Sequence, residues 1–112
     1  YDILIEELDT SICLDVGHAI LQQEESPLEI MKRWKDKVHE IHFHNVLYSK
    51  IRNRIHVYED HRGLTTGVLD VASFLDHLVE TGFSHPVMLE IMTQEEIADS
   101  LTYIESLRYK VR

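Results

Sequence analysis

The sequence has little of several residue types, and each shortage excludes a class of protein. Its 112 residues include one cysteine, Cys13, so no disulfide can form within the chain. A single thiol fits a reducing compartment, and we expect a cytoplasmic protein in which Cys13 is a small buried apolar residue. No apolar run approaches the roughly 20 residues that span a bilayer, and no secretory signal pattern is present. Neither membrane association nor secretion is expected.

Basic residues are also scarce. The chain carries 11 Lys and Arg against 20 Asp and Glu, a formal net charge of −9. Such a chain repels phosphate backbones on average, and no basic stretch is interleaved with aromatic residues, so no nucleic-acid partner is expected. Glycine-rich phosphate-binding and nucleotide-binding motifs are absent as well. The residues left to carry chemistry are carboxylates and the 8 histidines.

Short apolar runs alternate with helical patterns along the chain. Strands are predicted at residues 10–16, 38–46 and 86–92. The first and third are apolar enough to be buried parallel strands, whereas the second alternates and has polar residues at its C-terminal end. Helices are predicted at residues 26–37, 70–81 and 93–107, with Ser26, Asp70 and Thr93 as N-caps. Residues 47–69 show no sustained period and predict a long functional loop with at most a brief strand. The fold class is therefore α/β, with about three parallel strands and no hairpins between them.

Three parallel strands leave sheet edges that need partners. We treat residues 1–112 as part of one domain, and the helical spacing of residues 3–8 suggests further chain before it. The expected partner is either a missing N-terminal half of a barrel or a second copy of the chain in a homo-oligomer.

Each predicted strand ends in side chains that bind metals. Asp15 with His18, His42 with His44, and Glu90 occupy the three carboxyl ends. Active sites of parallel barrels lie at these ends, and a divalent ion needs ligands from several strands. A divalent metal centre for Zn, Mn, Co or Mg is predicted, because mixed carboxylate and imidazole ligands suit all four.

The ordered set of motifs LDVGHA, IHFHN, EDH with Gly67, and LE resembles the last strands of the xylose isomerase-like TIM barrel superfamily. That superfamily includes sugar isomerases and epimerases and the endonuclease IV-like phosphodiesterases. The resemblance implies the C-terminal part of a (β/α)8 barrel. It also implies a role for each of the following residues: metal ligands Asp15, His42 and Glu90, with Glu59 and His61 for a further ion; catalytic groups Glu90 and His18; substrate-binding groups His18, His44 and His61.

The motifs depart from the family pattern in two places. The loop aspartate of the family falls on Glu59, or on Asp60 if the loop shifts, and Thr65 stands where the family has a first glycine. A further metal-binding glutamate, which the family takes from an earlier strand, has no counterpart here, because no strand is predicted before residue 10. His44 is open to a second interpretation as a satisfied polar core residue, and His61 as a solvated loop residue.

Three functions remain open on this basis. The first is a metal-dependent isomerase or epimerase acting on a sugar or sugar phosphate by proton transfer beside a carbonyl. The second is an endonuclease IV-like phosphodiesterase using further ions. The third is a non-catalytic piece that acts only with a partner or after self-association.

Overall fold

A computed structural model describes residues 11–34 and 36–107. The helix suggested for residues 3–8 lies outside the described residues. The first elements are β1 (Ile12–Asp15), α1 (Val16–Gln22), α2 (Pro27–Arg33), β2 (Val38–Phe43) and β3 (Asn45–Ile51). The remaining elements are β4 (Arg54–Arg62), α3 (Val71–Glu80), β5 (Val87–Leu89) and α4 (Gln94–Ser106).

The central sheet has three strands in the order β1, β2, β5, and both pairings are parallel. Asp15 lies opposite His42, which in turn lies opposite Met88. The connections between these strands contain helices, as parallel pairing requires. The predicted α/β class with parallel strands is confirmed.

Side-chain alternation gives the sheet one apolar and one polar face. Leu14, Ile41 and Phe43 project to the helix-covered face, where Phe43 packs on Phe74 of α3 with ring centroids 5.4 Å apart. The buried core consists of Leu14, Val16, Ala19, Met31, Val38, Ile41, Phe43, Leu64, Val71, Phe74, Leu78 and Ile91. Residues between these positions turn to the opposite face, so the polar residues of the strands are gathered there.

The helix starts follow the predicted caps. The side chains of Ser26, Asp70 and Thr93 each accept a hydrogen bond from a backbone N–H three residues on. The helix predicted from Ser26 to residue 37 ends earlier, at Arg33. A tight turn follows, in which the backbone N–H of Val38 binds the Trp34 carbonyl as the chain enters β2.

Residues 47–69 were expected to form a loop, and that prediction was wrong. Most of them belong to an antiparallel hairpin of β3 and β4. The two residues between the strands, Arg52 and Asn53, have φ angles of 53° and 66°. Such a turn usually contains glycine, most often as Asn-Gly, and the lack of glycine here explains why no hairpin was predicted.

The outer strands of the central sheet are more exposed than predicted. Val87 and Met88 of β5 are 39% and 49% exposed, and Cys13 of β1 is exposed as well. The prediction of a buried third strand and that of a buried Cys13 were therefore wrong. Both strands are edges of the described sheet, with no neighbour on their outer side. Within residues 11–34 and 36–107, no helix is long and apolar enough to cross a membrane.

Candidate metal centre

Three side chains from three different segments converge at the carboxyl ends of the central strands. Asp15, His42 and Glu90 each present one ligand atom, and these atoms lie within 4.8 Å of one another. Asp15 and His42 are register partners on β1 and β2. Glu90 follows β5, and its backbone N–H donates to the carbonyl of Phe43. Two carboxylates and an imidazole are suitable ligands for a divalent cation.

Asp15 is held in place by the start of α1. It is the N-cap of that helix, and its Oδ1 accepts hydrogen bonds from the His18 backbone N–H at 3.0 Å and from Nε2 of His44 at 2.7 Å. Desolvation pushes the pKa of Asp15 upward, but these two hydrogen bonds outweigh it and lower the pKa. Asp15 is thus a carboxylate at neutral pH, and its Oδ2 lies 3.4 Å from Nδ1 of His18.

His44 is fully buried beneath this carboxylate. Its Nδ1 accepts the backbone N–H of His61 at 2.9 Å, so Nε2 must carry the ring proton and donate it to Asp15. A Cβ on Gly17 would lie 2.0 Å from Cε1 of His44, so only glycine leaves room for the ring. The sequence offered two roles for His44, and its burial fits the satisfied core residue better than the substrate-binding one.

Glu90 and His42 form the other half of the cluster. Oε1 of Glu90 is one of two buried side-chain polar atoms without a hydrogen-bond partner in the described part of the chain. Nδ1 of His42 lies against this oxygen, although the pair does not form a hydrogen bond. A carboxylate oxygen without a hydrogen-bond partner, beside an imidazole side chain, belongs to a donor set that suits a divalent cation. The residues present therefore fit the metal that the sequence predicted.

A second group of side chains lies beside the first. His18 Nε2 is 3.7 Å from Asp60 Oδ2, and Asp60 Oδ1 is 3.1 Å from Nδ1 of His61. The hydrogen bond with His61 lowers the pKa of Asp60. His61 stacks on His44 with ring centroids 4.3 Å apart, and its Nε2 is 3.8 Å from Oε2 of Glu90. His61 therefore lies in the site and not in a solvated loop.

The backbone of His61 is strained. Its φ of 54° lies in the left-handed region, which costs a non-glycine residue about 1 kcal/mol or more. Two main-chain hydrogen bonds hold it there: its N–H donates to His44, and its carbonyl accepts from Met92. Strain of this kind is typical of functional sites, where the surrounding structure fixes an otherwise unfavourable geometry.

Glu59, expected as a ligand of a further ion, lies outside both groups. Its side chain is 62% exposed and pairs with Arg62, which also donates to Glu96. Successive residues of β4 alternate between faces, so Asp60 and not its neighbour Glu59 reaches the site. Asp60, and not Glu59, is thus the carboxylate of this segment that lies beside the first cluster.

Asn45 is a residue that the sequence did not single out. Its Oδ1 accepts from the backbone N–H groups of Val46 and Leu69, and its Nδ2 donates to the Leu64 carbonyl. A Cβ on Gly67, at φ 147°, would lie 2.4 Å from this Oδ1. The amide thus fixes the segment after the hairpin. An asparagine directly after HFH was the available signal in the sequence, and the structure buries it.

Metal-binding side chains at the carboxyl ends of parallel strands are typical of the active face of β/α barrels. Consistent with this, the family model described as xylose isomerase-like TIM barrel matches residues 4–108. The chain belongs to that family, as its motifs indicated.

Comparison with solved structures agrees. A xylose isomerase domain protein from Planctomyces limnophilus superimposes with a TM-score of 0.76 at 24% sequence identity. The match covers 96% of this chain and 40% of that protein. At this identity the likeness shows the fold, and the chain spans less than half of the matched protein's length. A search of curated proteins finds no match.

Proposed function

We propose that the protein containing this chain is a divalent metal-dependent isomerase or epimerase acting on a sugar or sugar phosphate. The observation that carries the proposal is the convergence of Asp15, His42 and Glu90 at one edge of the sheet. Membership of the xylose isomerase-like family supports the reaction class. The bound ion would hold adjacent substrate oxygens and make a hydrogen beside a carbonyl more acidic.

The side chains around the cluster have separate tasks in this proposal. His44 and the start of α1 hold Asp15 as a carboxylate in one orientation. The His18 side chain is 55% exposed and lies between Asp15 and Asp60, where it can bind a substrate hydroxyl. Oε2 of Glu90 faces Nε2 of His61 at 3.8 Å and is the oxygen that would take up or return the proton.

A phosphodiesterase resembling endonuclease IV is the second candidate. It is favoured by the group of His18, Asp60 and His61, which adds further metal-binding atoms next to the first cluster. The net charge of −9 disfavours a DNA substrate but not a small phosphodiester.

Both activities are assigned to a complete barrel. β1 and β5 are edge strands of the described sheet, and the matched structure is longer than this chain. The remaining strands would come either from further chain or from another subunit. Without them, the third possibility is that residues 1–112 are inactive on their own. Light scattering measures the oligomeric state of the protein. A stable, fully active monomer would rule out the need for a second subunit.

The first test measures metal in the purified protein. Elemental analysis and Mn²⁺ titration are compared for the wild type, an Asp15→Asn, Glu90→Gln double variant, and Glu59→Gln as a matched carboxylate control. We expect stoichiometric metal in the wild type and the control and loss of binding in the double variant. Equal metal binding by all three proteins would refute the site.

The second test separates the two reactions. Ketoses and ketose phosphates are followed for exchange of the carbonyl-adjacent hydrogen with solvent deuterium, and an activated phosphodiester is followed for hydrolysis. Exchange that is lost in Glu90→Gln supports the isomerase, whereas hydrolysis that is lost in Asp60→Asn supports the phosphodiesterase. Metal binding without either activity would leave the site intact but remove the proposed function.

A further inference from the structure

A second trio of metal-binding side chains lies one layer further down the same face of the sheet. Cys13, Glu40 and His42 present ligand atoms that lie within 4.8 Å of one another. Cys13 and Glu40 are register partners, as are Asp15 and His42, so the two pairs are adjacent layers on one face. Cys13 and Glu40 take no part in the function proposed above.

His42 stands between the two layers and offers a different nitrogen to each. Its Nδ1 lies against Oε1 of Glu90, whereas its Nε2 is 3.4 Å from Oε1 of Glu40. Within the described residues, the Glu40 side chain is 40% exposed and Cys13 is exposed.

The chemistry of the lower trio differs from that of the upper one. A thiolate, an imidazole and a carboxylate favour zinc and softer ions such as cadmium, whereas the upper oxygen-rich set also suits manganese and magnesium. Around tetrahedral zinc, ligand atoms are separated by roughly 3.3 to 3.8 Å, given bond lengths of about 2.0 to 2.3 Å. A spread of up to 4.8 Å requires only side-chain adjustment.

We propose that Cys13, Glu40 and His42 form a second metal site, selective for thiophilic divalent cations. On binding, the thiol proton passes to solvent as the sulfur–metal bond forms. Partial burial, followed by the carboxylates of Glu40, Asp15 and Glu90, raises the pKa of the Cys13 thiol. The same negative surroundings attract a cation.

His42 belongs to both the upper and the lower trio, so the two sites compete for it. A neutral imidazole has one lone pair for a metal, so His42 serves one layer at a time. A thiophilic ion in the lower site therefore withdraws His42 from the upper site and weakens manganese binding there. This competition rests on the proposed function, whereas the lower site itself does not.

The test is a Cd²⁺ titration of the full-length protein, followed by sulfur-to-metal charge-transfer absorbance in the near ultraviolet. The wild type is compared with Cys13→Ser, Glu40→Gln and Asp15→Asn, with circular dichroism to check folding and Glu95→Gln as an exposed carboxylate control. We expect a saturable band in the wild type, Asp15→Asn and the control, and no Cys13-dependent band in Cys13→Ser. In Glu40→Gln the apparent affinity should fall about tenfold or more.

Two outcomes would overturn the site. One is a wild-type titration indistinguishable from that of Cys13→Ser, which would exclude the thiolate as a ligand. The other is loss of the band in Asp15→Asn to the same extent as in Cys13→Ser, which would mean that one merged site exists in place of two. Failure of Mn²⁺ binding with a normal Cd²⁺ band would refute the proposed function alone.

Discussion

The central sheet and the β3–β4 hairpin are both β-structure, yet they differ in how their strands are connected and in how deeply their side chains are buried. The sheet joins strands that are distant in sequence, and its helix-covered face includes Ile41 and Phe43 with no exposed area. The hairpin joins adjacent strands and leaves Val57 and Tyr58 58% and 56% exposed. Tertiary packing stabilises the sheet, while local pairing dominates in the hairpin. The sheet is therefore where substitutions should cost most.

Removing the Phe43 ring is the most damaging change we predict. Phe43→Ala leaves a cavity against Phe74 and should lower the free energy of unfolding by about 3–5 kcal/mol. Val57→Ala in the hairpin is the control and should change it by about 0.5 kcal/mol or less. Denaturant unfolding of both variants measures the difference. Equal losses would show that the hairpin is packed against something that the described residues do not include.

Gly17→Ala tests whether the rigidity of the sheet extends to its polar end. The new Cβ would meet the buried His44 ring at 2.0 Å, so we expect a loss of about 3 kcal/mol together with weaker metal binding. Gly82→Ala is a matched control, since no atom lies within 4 Å of a Cβ there and only its φ of 69° opposes the change. That variant should lose about 1 kcal/mol and bind metal normally. Unchanged metal affinity in Gly17→Ala would argue against His44 as a support for Asp15.

The ion pair that connects the end of the hairpin to α4 should depend on pH. The Gly63 backbone N–H and Arg62 hold the pKa of Glu96 below its ordinary value of 4.5. A lowered folded-state pKa stabilises the protein above that value, and the stabilisation disappears as pH falls through the folded-state pKa.

Glu96→Gln should therefore cost about 1 kcal/mol at neutral pH, because the groups are partly solvated, and progressively less below pH 4.5. Thermal unfolding across this pH range, with Glu95→Gln as control, measures the effect. A cost that is constant with pH would show that the charge of Glu96 is not involved.

Asn53→Gly should give the smallest effect, and a favourable one. Asn53 has a φ of 66° in the hairpin turn, where glycine is preferred, so we expect about 0.5 kcal/mol of stabilisation. Ser49→Gly, within β3, should instead be destabilising by a similar amount. Hydrogen exchange of the hairpin amides compares them. Faster exchange in Asn53→Gly would contradict the turn assignment.

Local signals explain which elements the sequence predicted correctly. Ser26, Asp70 and Thr93 act within one turn of their own helices, so the sequence alone identifies them. The α1 helix was missed because it begins directly at a strand end, without a separating loop. The hairpin was missed because its turn lacks glycine.

In the candidate site, too, the residues placed by local signals were predicted, and those placed by strand register were not. Asp15, His42 and Glu90 were predicted from their positions at strand ends, and the structure brings them together. The choice between Glu59 and Asp60 depends on the register of β3 and β4, which no local pattern determined. Likewise, exposure of Cys13 depends on which strand lies beside β1, and strand order is a property of the whole sheet.

The sequence by itself determined the α/β class, the starts of α2, α3 and α4, and the candidate metal ligands, because each depends on periodicity or on neighbours along the chain. Only the tertiary structure decided that His44 supports Asp15 from beneath, that Asp60 faces the site, and that Cys13 and Glu40 lie next to His42. Cys13 and Glu40 are 27 positions apart in the sequence, and Asp15 and His44 are 29 apart. Strand register and packing, which sum contributions over the whole molecule, are what bring such residues into contact.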